Sequence, residues 1–262
     1  MQRIGKNNEI VKLFKEVQKT NRYKNLICSD DLEILKICVS YKLSIPYLLY
    51  SFEEDFQAST KGLLNQLIKQ ALEAYEVSNE TCQSLLSKEN HAKIIAMIEL
   101  PEFKTSDLKD FVLVLDHLEI PGNIGTLYRT ADACGITGII IVDPITKPNN
   151  PKITASSRGT NLIIPSICMS YQDALEFLLK ENYTIYLGEP ELGSDYQSYS
   201  YKGKIAIVVG NERFGIQQDW YQHSHKKVYI PMIGHNNSIN VSVAGSILIY
   251  EAFMKRTKLN NK

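Results

Sequence analysis

Apolar residues recur in two different patterns along this chain. Ile10, Val11, Leu13, Phe14 and Val17 fall at helical spacing after Asn7 and Asn8, either of which can cap a helix. A short apolar run at 25–28 predicts a strand, Asp30 and Asp31 cap a second helix through Leu35 and Cys38, and 45–52 predicts a strand with Pro46 near its start. A third helix is predicted over 61–74, with Leu64, Leu67, Ile68 and Leu72 on its buried side. A strand at 75–78, a short helix at 82–86 and a strand at 93–100 complete a small α/β unit, and the polar stretch 101–110 reads as a linker. The pattern then changes. Residues 111–115, 138–142 and 205–209 are continuous apolar runs without polar alternation, which suits a parallel sheet covered on both faces. Helices at 123–134 and 172–180 and further strands at 162–164 and 183–187 fill the intervals. The organisation predicted is an N-terminal α/β domain over 1–104 and a second α/β domain over 105–262.

Composition changes this picture little. Apolar content of 44% and charged content of 22% describe a globular protein, and no apolar run reaches bilayer-spanning length. The start of the chain lacks a signal-peptide core, so a cytoplasmic location is expected. The five cysteines are scattered and never form a Cys-x-x-Cys pair, so they read as buried thiols, not disulfides or metal ligands. A formal net charge of zero argues against a strong non-specific polyanion binder. It leaves room for a local basic face, and Arg3, Lys6, Lys12, Lys15, Lys19, Arg22 and Lys24 crowd the N-terminus. On charge alone, that run reads as a solvated helix face. His223 and His225 read as surface residues, His117 and His235 as structural ones, and the tyrosine-rich stretch 196–201 as a surface loop.

Three loops carry the candidate chemistry, each after an apolar strand, where ligands of open parallel sheets bind. The first holds Pro121, Gly122, Asn123, Gly125 and Arg129: the glycines permit a tight turn, Asn123 can cap the helix, and Arg129 sits on its second turn. In the second, Gly210 ends a strand and Glu212 follows, placed to pair with an arginine from a neighbouring loop or to stand as a surface charge beside Arg213. The third runs from Tyr229 to Asn240. A strand begins at Val228, Pro231 withdraws a donor from its ladder, Gly234 and two asparagines bend the chain, and Ser238 or Asn240 caps a final helix. By itself this is a strand–loop–helix joint with spare backbone hydrogen-bonding groups. No Gly-x-Gly-x-x-Gly or Walker loop is present, which disfavours an ordinary doubly wound nucleotide-binding enzyme.

Taken together, the three loops resemble the SpoU (TrmH) family of RNA ribose methyltransferases, in the SPOUT superfamily. Asn123, Gly125, Arg129 and Ala131 match its motif Asn-x-Gly-x-x-x-Arg-x-Ala; Gly210, Glu212 and Gly215 match Gly-x-Glu-x-x-Gly; and Ile230, Pro231, Met232, Gly234, Ser238, Asn240, Val241 and Ala244 match the third motif. The resemblance runs from about Phe111 to Lys255. It implies a parallel sheet with a deep trefoil knot, S-adenosylmethionine as methyl donor, no metal, and a homodimer with the site near the subunit interface. It implies cofactor contacts at Gly210, Ile230, Met232, Gly234 and Ile239, and catalytic roles for Asn123, Arg129, Glu212, Ser238 and Asn240. The N-terminal unit resembles the ribosomal-protein-like domain often fused to this family. It departs from the family pattern at Ser29-Asp30, where Glu-Gly is common. With that domain in view, the basic run reads as an RNA-facing surface. The implied reaction is methylation of a ribose 2′-hydroxyl, with ribosomal RNA first, transfer RNA second, and a non-catalytic RNA-binding module that kept the knot as the alternative. No membrane partner is implied.

Overall fold

The computed structural model describes residues 2–19, 22–87, 92–223 and 225–260. The chain forms two compact units, one of Met1–Glu102 with Asn149–Ile163 and one of Phe103–Pro148 with Ile164–Lys262.

The first unit is built on β1 (Gln2–Arg3), α1 (Glu9–Lys19), β2 (Leu26–Ser29), α2 (Leu32–Ser40), β3 (Tyr47–Ser51), α3 (Ala58–Gln70), β4 (Glu73–Val77), α4 (Asn79–Gln83) and β5 (Ile94–Glu99). Its five-stranded sheet has the order β1-β4-β3-β5-β2. Strands β1, β4 and β3 are parallel, and β5 runs antiparallel to β3 and β2. Period-2 alternation divides its core. Leu48, Ile94, Ala96 and Ile98 face α2 and α3, while Leu49, Ile95 and Met97 face α1 and α4. Asn8 and Asp31 cap α1 and α2 through their side chains, and Asp30 instead accepts from Ser87. Helix α3 starts earlier than its apolar spacing predicts and buries Leu63, Leu64 and Leu67. Leu72 lies beyond its end and is 78% exposed, because the chain has already turned into β4.

The second unit contributes β6 (Phe111–Asp116), α5 (Pro121–Ala133), β7 (Gly138–Val142), β8 (Ser166–Met169), α7 (Tyr171–Lys180), β9 (Thr184–Glu189), β10 (Ser194–Asp195), β11 (Ile205–Val209), β12 (Lys226–Tyr229) and α8 (Val241–Asn260). Between β7 and β8 the chain leaves for the first unit, where it forms α6 (Pro151–Ser157). This corrects the two-domain reading, which placed all of 105–262 in one domain. Asn149 donates to the Tyr23 carbonyl, and Leu162 is buried in the core of α2 and α3. It also corrects the strand predicted at 162–164. Arg158 and Gly159 both have left-handed backbone (φ 52° and 84°), and Thr160–Leu162 then makes a 3-10 turn; pairing with β7 begins only after Pro165.

All pairs in the seven-stranded sheet are parallel, in the order β10-β12-β9-β11-β6-β7-β8. One face packs Val112, Val114, Ile140, Ile185 and Val208 against α7 and Trp220. The other face meets α8, whose neighbour is α5. Gly188 and Gly245 make this contact close: an added Cβ would lie 2.9 Å from a Leu248 methyl and 2.6 Å from a Leu127 methyl, respectively.

The stretch 196–201 is less of a surface loop than its polarity implies. Tyr201 is fully buried against Tyr186, and Lys255 and Arg256 of α8 donate to the carbonyls of Gln197, Tyr199, Tyr201 and Gly203. His225 is likewise half-buried, and burial followed by the charge of His223 lowers its pKa to about 4. Cys38, Cys82 and Cys134 are buried thiols, whereas Cys168 on the outer strand β8 is exposed.

Candidate active site

Strand β12 ends at Tyr229, two residues before Pro231, and residues 230–240 run without helix or strand to Val241. Their backbone groups are therefore free of the ladder beside the C-terminal ends of β9 and β11. A cavity of about 880 Å³ opens there, lined by Gly188, Glu189, Val209, Gly210, Ile230, Met232, Ser238, Ile239 and Leu248 among others. Its size and mixed apolar and backbone walls suit a small organic ligand.

Helix α5 begins at Pro121 with Ile120 as its N-cap, and Ile120 has no side chain able to cap it. The Glu212 carboxylate does that work from the loop after the neighbouring strand β11. It accepts from the backbone N–H groups of Glu119 (3.1 Å) and Ile120 (3.2 Å) and from Asn123 Nδ2 (2.8 Å). A negative charge at a helix N-terminus is also favoured by the helix dipole. Burial opposes ionisation of Glu212, but the hydrogen bonds from Asn123 and the backbone outweigh it and lower the pKa. Asn123 is thus not the cap predicted for it. Its side chain donates to Glu212 and accepts from Asn240 Nδ2 at 3.2 Å. Asn240 caps α8 in turn, its Oδ1 accepting from Ser242 N at 2.9 Å. One hydrogen-bonded chain, Glu212–Asn123–Asn240, ties the three motif loops together. Across the same helix pair, the Thr130 and Ser246 hydroxyls lie 2.8 Å apart.

Arg129 stands apart from this chain. Six residues separate it from Asn123 on α5, which turns it about 120° around the helix. Its side chain is exposed and has no hydrogen bond or ion pair among the described residues, so Asn123 and Glu212 do not orient it by direct contact. They hold the helix that carries it. Ser238 is exposed at the cavity wall. Of the residues expected at the cofactor, Gly210, Ile230, Met232 and Ile239 line the cavity, and Gly234 does not.

Sequence reasoning missed Asn211. It is buried and shapes the loop after β11: its Nδ2 donates to the His117 carbonyl (2.7 Å) and its Oδ1 accepts from the N–H groups of Arg213 and Phe214. Gly210 has to be glycine because a Cβ there would lie 2.2 Å from the Gly215 carbonyl carbon. Asp116 was missed as well. It is wholly buried, accepts from Gln217 N at 2.8 Å, and so pins the end of the same loop. A lone acid closing an apolar strand was the available signal. Glu189, on the cavity wall, accepts from the Tyr221 hydroxyl, and burial, opposed by Lys227, raises its pKa to about 7. No group of three or more His, Cys, Asp or Glu residues suited to a metal ion occurs among the described residues. No helix among them is long and apolar enough to cross a membrane.

The model of the SpoU rRNA Methylase family matches residues 110–250, more than half of the chain. The 23S rRNA (guanosine(2553)-2′-O)-methyltransferase RlmP of Bacillus subtilis is 28% identical over 70% of this chain and 73% of its own length. A Staphylococcus saprophyticus protein assigned to the TrmH family of tRNA/rRNA methyltransferases is 32% identical over 77% of this chain and 87% of its own. A solved AdoMet-bound rRNA methyltransferase from Sinorhizobium meliloti superposes with a TM-score of 0.82 at 21% identity, covering 94% of each chain, a likeness of fold. The second unit accordingly has the SPOUT fold, an all-parallel sheet with a knotted C-terminal segment. With its three motif loops brought together at the ends of parallel strands, the chain belongs to the SpoU rRNA methylase family.

Proposed function

We propose that this protein transfers a methyl group from S-adenosylmethionine to a ribose 2′-hydroxyl of RNA, with ribosomal RNA as the substrate class. The carrying observation is the cavity at the ends of β9, β11 and β12, walled by the backbone that leaves the sheet at Ile230 and by residues of two motif loops. Its volume and apolar lining fit the donor's adenosine and methionine parts. Bound there, S-adenosylmethionine supplies a methyl carbon already activated by its sulfonium. The chain has to align the 2′-hydroxyl and accommodate the loss of its proton.

Arg129 is the group for that task. A guanidinium is always charged and makes a poor base, so its role is to bind the ribose or its phosphate and to stabilise negative charge developing on the 2′-oxygen. Asn123 and Glu212 hold α5 in place, and Asn240 holds the start of α8 against it. Ser238, exposed at the cavity, binds the substrate phosphate or ribose. Gly210, Ile230, Met232 and Ile239 form the donor site, and Gly234 bends the loop beside it. The 2′-hydroxyl requirement selects RNA over DNA, at an unpaired nucleotide. The N-terminal unit supplies RNA contacts through Lys12, Lys19, Arg22 and Lys24, which are exposed, whereas Arg3 and Lys6 pair with Glu76 and Glu80.

The working form is a homodimer in the cytoplasm. Val243, Tyr250 and Met254 of α8 are exposed at helical spacing, a stripe suited to a second copy of the chain. Calorimetry with S-adenosylhomocysteine separates the enzyme from a non-catalytic RNA-binding module: the enzyme binds it and the module does not. Mapping 2′-O-methyl sites in RNA from cells with and without the gene identifies the target. Loss of a site in ribosomal RNA is expected; loss only in transfer RNA would overturn the substrate assignment.

A further inference from the structure

The loop after β11 holds a phenyl ring in water. Phe214 is 81% exposed, yet it lines the cavity. Its position is not that of a loose surface side chain. Asn211 and Gly215 exchange two backbone hydrogen bonds of 2.8 and 2.9 Å, closing a tight turn. Asn211 Oδ1 accepts from the N–H groups of both Arg213 (2.9 Å) and Phe214 (3.1 Å). The same side chain is anchored below by the His117 carbonyl and Glu119 Oε1, and Gly215 closes the turn with φ 70°. The backbone that carries Arg213 and Phe214 is therefore set before any ligand arrives. Arg213 beside it is exposed, and its guanidinium has no hydrogen bond or ion pair among the described residues.

A fixed turn that presents one aromatic ring and one free guanidinium matches how proteins take single-stranded RNA. Bases stack on aromatic side chains, and arginine engages phosphate. Resting on the methyltransferase reading above, we propose that Phe214 stacks on an unpaired nucleobase of the RNA strand entering the cavity, while Arg213 holds a backbone phosphate of that strand. A stack of this kind tolerates any base, because every base has a π face. It therefore positions the strand without reading its sequence.

The test uses the full-length protein with S-adenosylhomocysteine present and a fluorescein-labelled, mixed-sequence single-stranded RNA read by anisotropy. Phe214→Ala is expected to weaken RNA binding roughly 5- to 150-fold, the range for one lost base–aromatic stack. Phe214→Tyr restores binding and Phe214→Leu does not, a distinction that a merely structural role would not produce. Arg213→Gln is expected to reduce the slope of log affinity against log salt by about 0.7, one phosphate's share on a single strand. Donor affinity, measured by calorimetry with S-adenosylhomocysteine alone, stays unchanged in all of these variants. Equal RNA binding by Phe214→Ala and wild type overturns the proposal. So does a matching loss of S-adenosylhomocysteine binding, which would make Phe214 part of the donor wall. Dissociation of a dimer by Phe214→Ala in sedimentation overturns it too, because the ring would then face a second copy. RNA binding by the wild type without any methyl transfer would sink the enzymatic reading and leave the stack standing. Intact transfer with no effect of Phe214 would sink the stack alone.

Discussion

Two groups of residues on the three motif loops behave in opposite ways. Glu212, Asn123 and Asn240 spend their hydrogen-bonding capacity on one another and on the starts of α5 and α8. Arg129, Ser238 and Arg213 are exposed, and neither guanidinium has a hydrogen bond or ion pair among the described residues. The first group consists of polar side chains that stitch together loops about 90 to 120 residues apart in sequence. The second is what that stitching leaves facing outward. A family motif thus mixes letters that build a joint with letters that meet a substrate, and hydrogen-bond satisfaction tells them apart.

Substitutions in each group can break or sharpen this contrast. The largest effect is expected at Arg129. Arg129→Ala lowers single-turnover methyl transfer by about 10²–10³-fold, the loss typical of one transition-state charge stabiliser, while the melting temperature and donor affinity stay at wild-type values. A comparable fall in melting temperature would place Arg129 with the joint. Glu212→Ala acts the other way. It leaves the start of α5 uncapped and costs about 1.5–3 kcal/mol in chemical denaturation, with donor affinity and transfer falling together. Because the folded-state pKa of Glu212 is lowered, its contribution is present above pH 4.5 and is lost as pH falls through the folded value. Wild type and variant should therefore converge in acid.

Asn240→Ala removes one cap and costs about 1 kcal/mol, read as a shift in the denaturation midpoint. A purely pH-dependent effect belongs to Glu189→Gln. Burial raises the carboxyl to about 7, so its favourable neutral state is complete below 4.5 and is lost as pH rises through 7. The variant should match wild type in acid and melt at the higher temperature above pH 7. A constant difference across that range would exclude Glu189 as its source.

Much of this was legible in the chain itself. The pure apolar runs at 111–115, 138–142 and 205–209 are parallel strands because both their faces are covered, and Pro231 does stop β12. The partners of the motif residues were not legible. Asn123 looked like a cap because it stands just inside a helix start, but the cap comes from Glu212, 92 residues beyond Ile120. The excursion of 149–163 into the first unit was hidden for a similar reason: nothing local in Leu162 says which core will bury it. Tyr201 looked solvated beside polar neighbours, but it packs on the rings of Tyr186 and Tyr199, its hydroxyl donates to the Tyr196 carbonyl, and Arg256 of α8 donates to its own carbonyl.

The most direct test follows the methyl group. Purified protein is incubated with S-adenosylmethionine bearing a tritiated methyl and with ribosomal and transfer RNA, and the RNA is then digested with alkali. A methyl on the 2′-oxygen blocks alkaline cleavage of the adjoining linkage, so the label is predicted in alkali-stable dinucleotides of ribosomal RNA from the wild type. It should be absent with an Arg129→Ala variant that melts normally. Label recovered in mononucleotides, on a base instead of a ribose, would contradict the account.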